Sequence, residues 1–373
     1  DEADRLFSLG FLNEVKEIVS YLPVKRRTLL FSATVSQDVL EVAAGTCRGN
    51  YSYIDCIGEE EAPTASMVNQ TYAIMPGHQC LIALYNLLME EMAKDKYGYK
   101  IIVFFPTARL TSFMADFFRQ QLRISVLEIH RRREAEERLD AQDRFRSGAS
   151  GILFSSDVSA RGMDYPNVSL VVQFCAPSTR DIYIHRVGRT ARAGKEGRSV
   201  LLLGEKEQEF LRSVEDLPLT PEPDADRLQR VHEMVVKATT SWLSLTGMRT
   251  SATAAFASLL VHFKSTHRVL RMVDDDVVQA ASDLLLGCGL VDQPVVSKRL
   301  ATLLGLENHP HLQCAARLGE EDPLVIAANA NNPNRPPPGK FGAGVLAGSS
   351  SSSSSGRFTP KPRTPRKRWQ DET

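Results

Sequence analysis

The stretch GILFSSDVSARGMD, residues 151–164, decides how the chain is read. It opens on an apolar run, GILF, that ends in two serines. A run without polar alternation is the pattern of a strand covered on both faces, as in a parallel sheet. The polar exit SDVSARGMD (156–164) sets an acid, an arginine and a flexible glycine at that strand's C-terminal edge. Ligands of open α/β sheets bind outside the carboxyl ends of the strands, so Asp157, Arg161, Gly162 and Asp164 suit ligand contact there. A plain polar strand-to-turn exit is the other reading, and this stretch alone does not choose between them.

Runs of the same kind recur on both sides: TLLFSATV (28–35), NQTYAI (69–74), IIVFF (101–105), SVLEI (125–129), VSLVVQF (168–174) and SVLLL (199–203). Helical spacing separates them, as in Leu81, Leu84, Tyr85, Leu88 and Met92, or Leu110, Phe113, Met114 and Phe117. Strands alternating with helices predict a doubly wound α/β domain with a parallel sheet over 69–217. The aperiodic, acidic stretch before it makes 59–68 a linker. Residues 1–58 hold one good strand and two helical patterns, too little to cover a sheet on both faces. The expectation is a chain that begins inside a domain whose earlier part lies upstream.

Beyond the sheet domain, 218–318 reads as a helical extension: Leu228, Val231, Met234 and Val235, then Phe256, Leu259, Leu260 and Phe263, then Val277, Ala280, Leu284 and Leu285. Residues 319–373 carry NNPNRPPPGK, a seven-serine run and the basic segment RFTPKPRTPRKRW (357–369). Such composition cannot bury a core and predicts disorder.

Composition excludes little. Forty-five basic and forty-five acidic residues cancel, so any nucleic-acid surface has to be local. The six cysteines (Cys47, Cys56, Cys80, Cys175, Cys288 and Cys314) form no C-x-x-C pair. That spacing argues against a zinc site or a disulfide framework and suits a reducing compartment. No apolar run has the length of a membrane span.

Three more motifs carry chemistry. D-E-A-D opens the chain as Asp1 to Asp4. Hydrolysing a nucleoside triphosphate needs a metal holder, a water activator and positive charge at the γ-phosphate. Asp1 suits Mg²⁺ and Glu2 suits the attacking water, while Asp4 would tie the loop to a neighbour. A solvated acidic terminus is the alternative. Ser32-Ala33-Thr34 closes the next apolar strand, where Ser32 and Thr34 hydroxyls can reach a neighbouring acid or simply end a strand. HRVGRTAR runs from His185 to Arg192, and Arg186, Arg189 and Arg192 would share one side of a helix. Like charges at that spacing weaken a helix, so an anion should compensate, and a triphosphate fits.

Taken in order, D-E-A-D, S-A-T, IVFFPT, SDVSARGMD and HRVGRTAR resemble the DEAD-box family of RNA helicases across residues 1–215. The resemblance implies two RecA-like lobes that close over ATP, Mg²⁺ and RNA, acting as an ATP-dependent RNA helicase or RNA chaperone and expected to be monomeric. It implies that Asp1 serves the metal and Glu2 positions water. Ser32, Thr34 and Asp4 would couple hydrolysis to closure, and His185 would bridge the lobes. Asp164, with Gly162 and Arg161 beside it, would approach the ribose, and Arg189 and Arg192 the γ-phosphate. RNA, held by its backbone with little sequence preference, would meet Pro106, Thr107, Arg138, Arg146, Gly148, Ser156 and Asp157.

This sequence departs from the family's pattern at two places. The family's Walker-type loop is absent, which implies very weak triphosphate binding by these residues alone and leaves a catalytically inactive RNA-binding module as the alternative. At HRRREAEER (130–138), Ala135 stands where the family has an RNA-contacting glutamine, and three arginines oppose the dipole of the helix they precede. They meet phosphate or remain a solvated helix start. The helical extension resembles that of mitochondrial and plastid intron-splicing members, which points to either organelle. The basic tail reads as an RNA tether adding salt-dependent affinity, as a tail without a partner, or as a nuclear localisation patch.

Overall fold

The fold is built on seven strands of one sheet, with every neighbouring pair parallel. The computed structural model describes residues 3, 12–32, 37–47, 51–54, 68–157, 164–191, 196–242 and 245–315. Strands β1 (Val68–Met75), β2 (Lys100–Phe104), β3 (Leu127–Ile129), β4 (Gly151–Ser155), β5 (Leu170–Phe174), β6 (Gly197–Gly204) and β7 (Leu219–Pro221) lie in the order β3-β4-β2-β5-β6-β1-β7. The central strands are apolar at successive positions because helices cover both faces. Ile101, Val103 and Phe105 point to the face packed by α3 (Cys80–Lys94) and α4 (Ala108–Gln120). Ile102, Phe104, Leu153 and Val171 point to the other, against Ala141 and Phe145 of α5 (Ala135–Ser147). This is the doubly wound arrangement that the strand runs predict and the RecA-like lobe that the resemblance implies.

Four expectations shift at their boundaries. The sheet begins at Val68, inside the expected linker, and takes in Leu219–Pro221 beyond residue 217. That last strand pairs with Gln70–Tyr72 at the sheet edge, where a proline without an N–H is tolerated. Residues 228–235 are not one helix: Leu228 lies in a 3₁₀ turn (Ala225–Gln229), Val231 is exposed, and the helix starts only at Glu233. Finally, residues 28–32 form no strand. A strand needs a ladder partner, and none occurs among the described residues; Leu29 and Phe31 are each 61% exposed.

The N-terminal segment supplies α1 (Leu12–Ser20) and α2 (Gln37–Thr46), whose small cluster joins Ala3 and Val39 with Val15 and Leu30. Helix α6 (Arg180–Val187) lies between β5 and β6, and C-terminal to the sheet come α7 (Glu233–Ser241), α8 (Thr246–Leu270), α9 (Asp274–Gly287) and α10 (Lys298–Leu304). The extension is continuous with the sheet domain's core: Phe113 of α4 meets Trp242 edge-on at 5.7 Å, and the Trp242 indole donates to the Cys288 carbonyl at 2.7 Å. No helix among the described residues is long and apolar enough to cross a membrane.

Candidate nucleic-acid interface

Three strand exits are laced together at the sheet's C-terminal edge. The Ser156 amide and the Ser155 hydroxyl both donate to the Ile129 carbonyl, at 3.2 and 3.0 Å, and the Phe105 amide donates to the Ser155 carbonyl at 2.8 Å. Pro106 and Thr107, Ser156 and Asp157, and the loop from His130 therefore emerge side by side. Thr107 is extended and caps α4, its hydroxyl accepting from the Leu110 amide at 3.1 Å.

Asp157 is held by Arg186. Arg186 Nε donates to Asp157 Oδ1 at 2.8 Å, and Nη2 lies 2.7 Å from the same oxygen. The guanidinium covers the Phe104 ring at 5.4 Å and is fully buried, and its Nη1 has no hydrogen-bond partner. A buried arginine costs several kcal/mol unless it is paired, so Asp157 and the aromatic face are what let it sit there.

The helix carrying Arg186 is capped by Thr179 and stops at Val187. The expected helical stripe of three arginines is thus not formed. Gly188 ends α6, and Arg189 folds back, with Nε donating to the carbonyl of buried His185 at 3.2 Å. The backbone then passes Ala191 at φ 52°, a left-handed conformation that non-glycine residues rarely adopt. Glycine is required at 197, because a Cβ there would lie 2.6 Å from the Ala191 amide.

The loop after β3 is anchored by a buried carboxylate. Glu128 Oε1 accepts from Arg119 Nη1 at 3.0 Å and from Arg133 Nη2, and Oε2 lies 3.2 Å from His130 Nε2. Burial alone would raise its pKa, but hydrogen bonds from His130, Arg133 and Arg119 overcome this and take it down to about 2. Of the three successive arginines, Arg133 is tied into this network and onward to Glu137 at 3.2 Å, while Arg131 and Arg132 are exposed. Arg138, half-buried in the first turns of α5, keeps an Nε without a partner.

The expected site residues divide between two edges. Arg146 and Gly148 end α5 and lead into β4, so they lie a strand's length, about 16 Å at ~3.3 Å per residue, from Ser156. Lys100 at the start of β2 donates to the Arg146 carbonyl at 3.0 Å, and Phe145 meets Tyr165 edge-on at 5.2 Å. Asp164, next to Tyr165, belongs to this second group. So does the turn after α6, since the Thr190 hydroxyl donates to the Val168 carbonyl just before β5. The polar exit of β4 therefore does not keep Asp157 and Asp164 together. Asp1, Glu2, Asp4, Thr34, Arg161, Gly162 and Arg192 lie outside the described residues, and Ser32 is half-buried.

Two contacts were not legible as site features. The Thr107 hydroxyl lies 2.7 Å from Ser258 Oγ of α8, and one turn further on His262 is buried near Asp157 and Arg186. The available signal was a polar stripe at helical spacing, Ser258, His262 and Thr266, on the buried side of α8; all three are buried.

Residues 81–194 match the helicase conserved C-terminal domain, and residues 1–42 match the DEAD/DEAH box helicase domain. Both helicase domain models thus match parts of this chain. It is similar to DEAD-box ATP-dependent RNA helicase 25 of Arabidopsis thaliana, 38% identical over 317 residues, which are 84% of this chain and 54% of that protein. It is also 34% identical over 322 residues to the mitochondrial ATP-dependent RNA helicase MSS116 of Phaeosphaeria nodorum, 85% of this chain and 58% of that one. The chain thus spans little more than half the length of these DEAD-box relatives. Among solved structures it resembles Mss116p bound to single-stranded RNA and AMP-PNP, with 27% identity and a TM-score of 0.69 over 85% of this chain and 65% of that one. It also resembles the Mss116p DEAD-box helicase domain 2 bound to an RNA duplex, with 27% identity, a TM-score of 0.55, and coverage of 67% of this chain and 98% of that one.

Proposed function

We propose that this chain binds RNA through its second RecA-like lobe and helical extension, and that it serves in an ATP-dependent RNA helicase that locally unwinds structured RNA. The observation that carries the reading is the resemblance to an isolated helicase domain 2 bound to an RNA duplex, of which 98% is covered. The described sheet and extension hold a laced C-terminal edge whose polar groups are backbone-reading types: Thr107, Ser156, Asp157, and the cations Arg131, Arg132 and Arg138. RNA phosphates and 2′-hydroxyls are the partners such groups suit. Arg146 and Gly148 enter this reading from the opposite edge.

The nucleotide side is a finer proposal. Asp164 is an exposed carboxylate, and the Arg189 charge reaches Tyr165 beside it, an acceptor suited to ribose hydroxyls and a cation suited to a phosphate. Bound ATP with Mg²⁺ would close the lobes, and its hydrolysis would release them. In this proposal Asp1 holds the metal, Glu2 orients water, Ser32 and Thr34 with Asp4 couple the lobes, His185 supports the Arg189 turn, and Arg189 and Arg192 meet the γ-phosphate. Arg161 and Gly162 flank the ribose contact. No G-x-x-x-x-G-K-[ST] stretch occurs in these 373 residues, so the chain by itself is read as an RNA-binding unit with little hydrolysis. A mitochondrial or plastid location rests on the subgroup resemblance, with the nucleus as the alternative through the basic tail.

The test is RNA binding and ATP hydrolysis by the full chain, with and without single-stranded RNA. Salt-sensitive binding of an RNA duplex without turnover is expected. Absence of RNA binding at low salt overturns the reading. RNA-stimulated turnover that vanishes in Arg192→Ala overturns the inactive-unit part alone.

A further inference from the structure

A chain of hydroxyls runs from the sheet domain into the extension, and the groups at its two ends fix its direction. The Leu110 amide donates to Thr107 Oγ1 at 3.1 Å, which caps α4. Thr107 Oγ1 lies 2.7 Å from Ser258 Oγ of α8, and Ser258 Oγ lies 2.8 Å from the Ala255 carbonyl. Ser258 is buried and Thr107 is half-buried at the RNA-facing edge.

An amide can only donate and a carbonyl can only accept, whereas a hydroxyl has one hydrogen and two lone pairs. If Ser258 spent its hydrogen on Thr107, its oxygen would face the Ala255 carbonyl at 2.8 Å with no proton between them. All three contacts are satisfied together in one arrangement: Leu110 N–H to Thr107, Thr107 O–H to Ser258, and Ser258 O–H to Ala255. Thr107 then has no side-chain hydrogen left for a ligand. Its carbonyl is taken as well, accepting from the Thr111 amide at 3.0 Å and the Thr111 hydroxyl at 2.8 Å. What its side chain still offers is one lone pair. A phosphate oxygen, itself an acceptor, gains nothing from that lone pair, whereas a ribose 2′-hydroxyl can donate to it.

We propose that Ser258 is a positioning residue of the extension: by accepting the Thr107 hydroxyl hydrogen it keeps Thr107 an acceptor, and so sets this point of the edge for a 2′-hydroxyl in place of a phosphate. Alanine at 258 would leave the Thr107 hydrogen free to turn toward any acceptor, including the phosphates that RNA and DNA share. The relay needs no assumption about function, whereas its consequence for RNA rests on the reading above.

Two measurements on the full chain separate those levels. The first is exchange of the Thr107 hydroxyl proton with solvent, read from the deuterium isotope shift on its ¹³Cβ signal. Slow exchange is expected in the parent and in Ser258→Thr, which keeps the hydroxyl, and fast exchange in Ser258→Ala. The second is affinity for a short oligouridylate against the matching oligodeoxyuridylate, which differ only in the 2′-hydroxyl. The preference for RNA is expected to fall about fivefold in Ser258→Ala. It should be kept in Ser258→Thr, and should fall no further when Thr107→Val is added to Ser258→Ala. Alanine is smaller than serine and a better helix former, so Ser258→Ala decides both measurements even if the added methyl of threonine is not accommodated. Equal exchange rates in the parent and Ser258→Ala overturn the relay. A parallel loss of RNA and DNA affinity in Ser258→Ala, with the preference unchanged, marks a merely structural serine and overturns the positioning role. If no form of the chain binds RNA, the functional reading above fails, while the exchange rate still decides the relay.

Discussion

Glu128 and Glu207 are both buried carboxylates near the sheet's C-terminal edge, and they titrate in opposite directions. Glu128, on β3, faces Arg119, Arg133 and His130, and its pKa falls to about 2. Glu207 follows β6 and, among the described residues, accepts from the amides of Ala176, at 2.7 Å, and Gly204, at 2.8 Å. Burial is the largest influence there, the two amides oppose it without overcoming it, and the pKa rises to about 7. At Glu207 the two backbone amides do not offset the lost hydration of the charge, whereas the His130 and guanidinium hydrogen bonds at Glu128 do. The first site is an ionic anchor for the arginine-rich loop. The second is a hydrogen-bonded pin for Ala176, the residue beside His262, and it tolerates the neutral acid.

The largest expected effect comes from removing the charge where cations depend on it. Glu128→Gln leaves Arg119 and Arg133 facing each other across a neutral amide. Breaking a buried pair costs about 3–5 kcal/mol, and both arginines keep about a third of their side chains in water, so roughly 2–4 kcal/mol is expected. Urea unfolding at neutral pH measures it. A loss under about 1 kcal/mol would show that the arginines re-solvate freely and that Glu128 is no anchor.

Glu207→Gln separates the two sites by pH. Glutamine has one acceptor oxygen for two amide donors, so it costs about 1–2 kcal/mol at pH 5. The folded pKa of Glu207 lies above its ordinary 4.5, so the native state keeps its proton longer as pH rises. Its favourable contribution is full below about 4.5 and declines until pH passes about 7. The deficit of Glu207→Gln should therefore shrink between pH 5 and pH 8. Glu128 runs the other way: its contribution is present above 4.5 and is lost as pH falls toward about 2. Unfolding free energies of the parent and both variants along a pH series would show a neutral limb missing in one variant and an acid limb missing in the other. If Glu207→Gln has the same deficit at both pH values, the charge-poor description of that site fails.

The difference between these sites bears on what the sequence made legible. Apolar runs announced the central strands, and the order of motifs placed Thr107, Ser156 and Asp157 at strand exits, because those are local patterns. SVLEI was read only as a strand run, and the role of its lone acid was not legible, since its partners come from α4 and from the next loop. Arg186 was read as one of three cations on a helix, but Gly188 ends that helix and turns Arg186 inward to Asp157. Arg146 and Gly148 were grouped with Thr107 by motif, yet α5 carries them across the sheet to its opposite edge. TLLFSATV had every local mark of a strand, and local marks do not supply a neighbour to pair with. The extension's polar stripe was visible in spacing, but its meaning depended on which loops α8 covers.

A third carboxylate supplies the smallest expected effect and completes the series. Asp216 meets Arg180 in a two-pronged pair, Nη1 to Oδ1 and Nη2 to Oδ2, the latter at 2.6 Å. The hydrogen bond from Arg180 lowers its pKa, as cations do for Glu128. Yet Asp216 is 62% exposed on its side chain, so water can solvate either charge when the other is removed. Exposed pairs contribute about 0.2–1 kcal/mol and are screened by salt. Asp216→Asn should therefore cost less than about 1 kcal/mol, and the cost should fade in high salt, while the Glu128→Gln deficit persists. If high salt erased both deficits equally, burial would not be what distinguishes the anchor from a surface pair, and the contrast between Glu128 and Glu207 would need another cause.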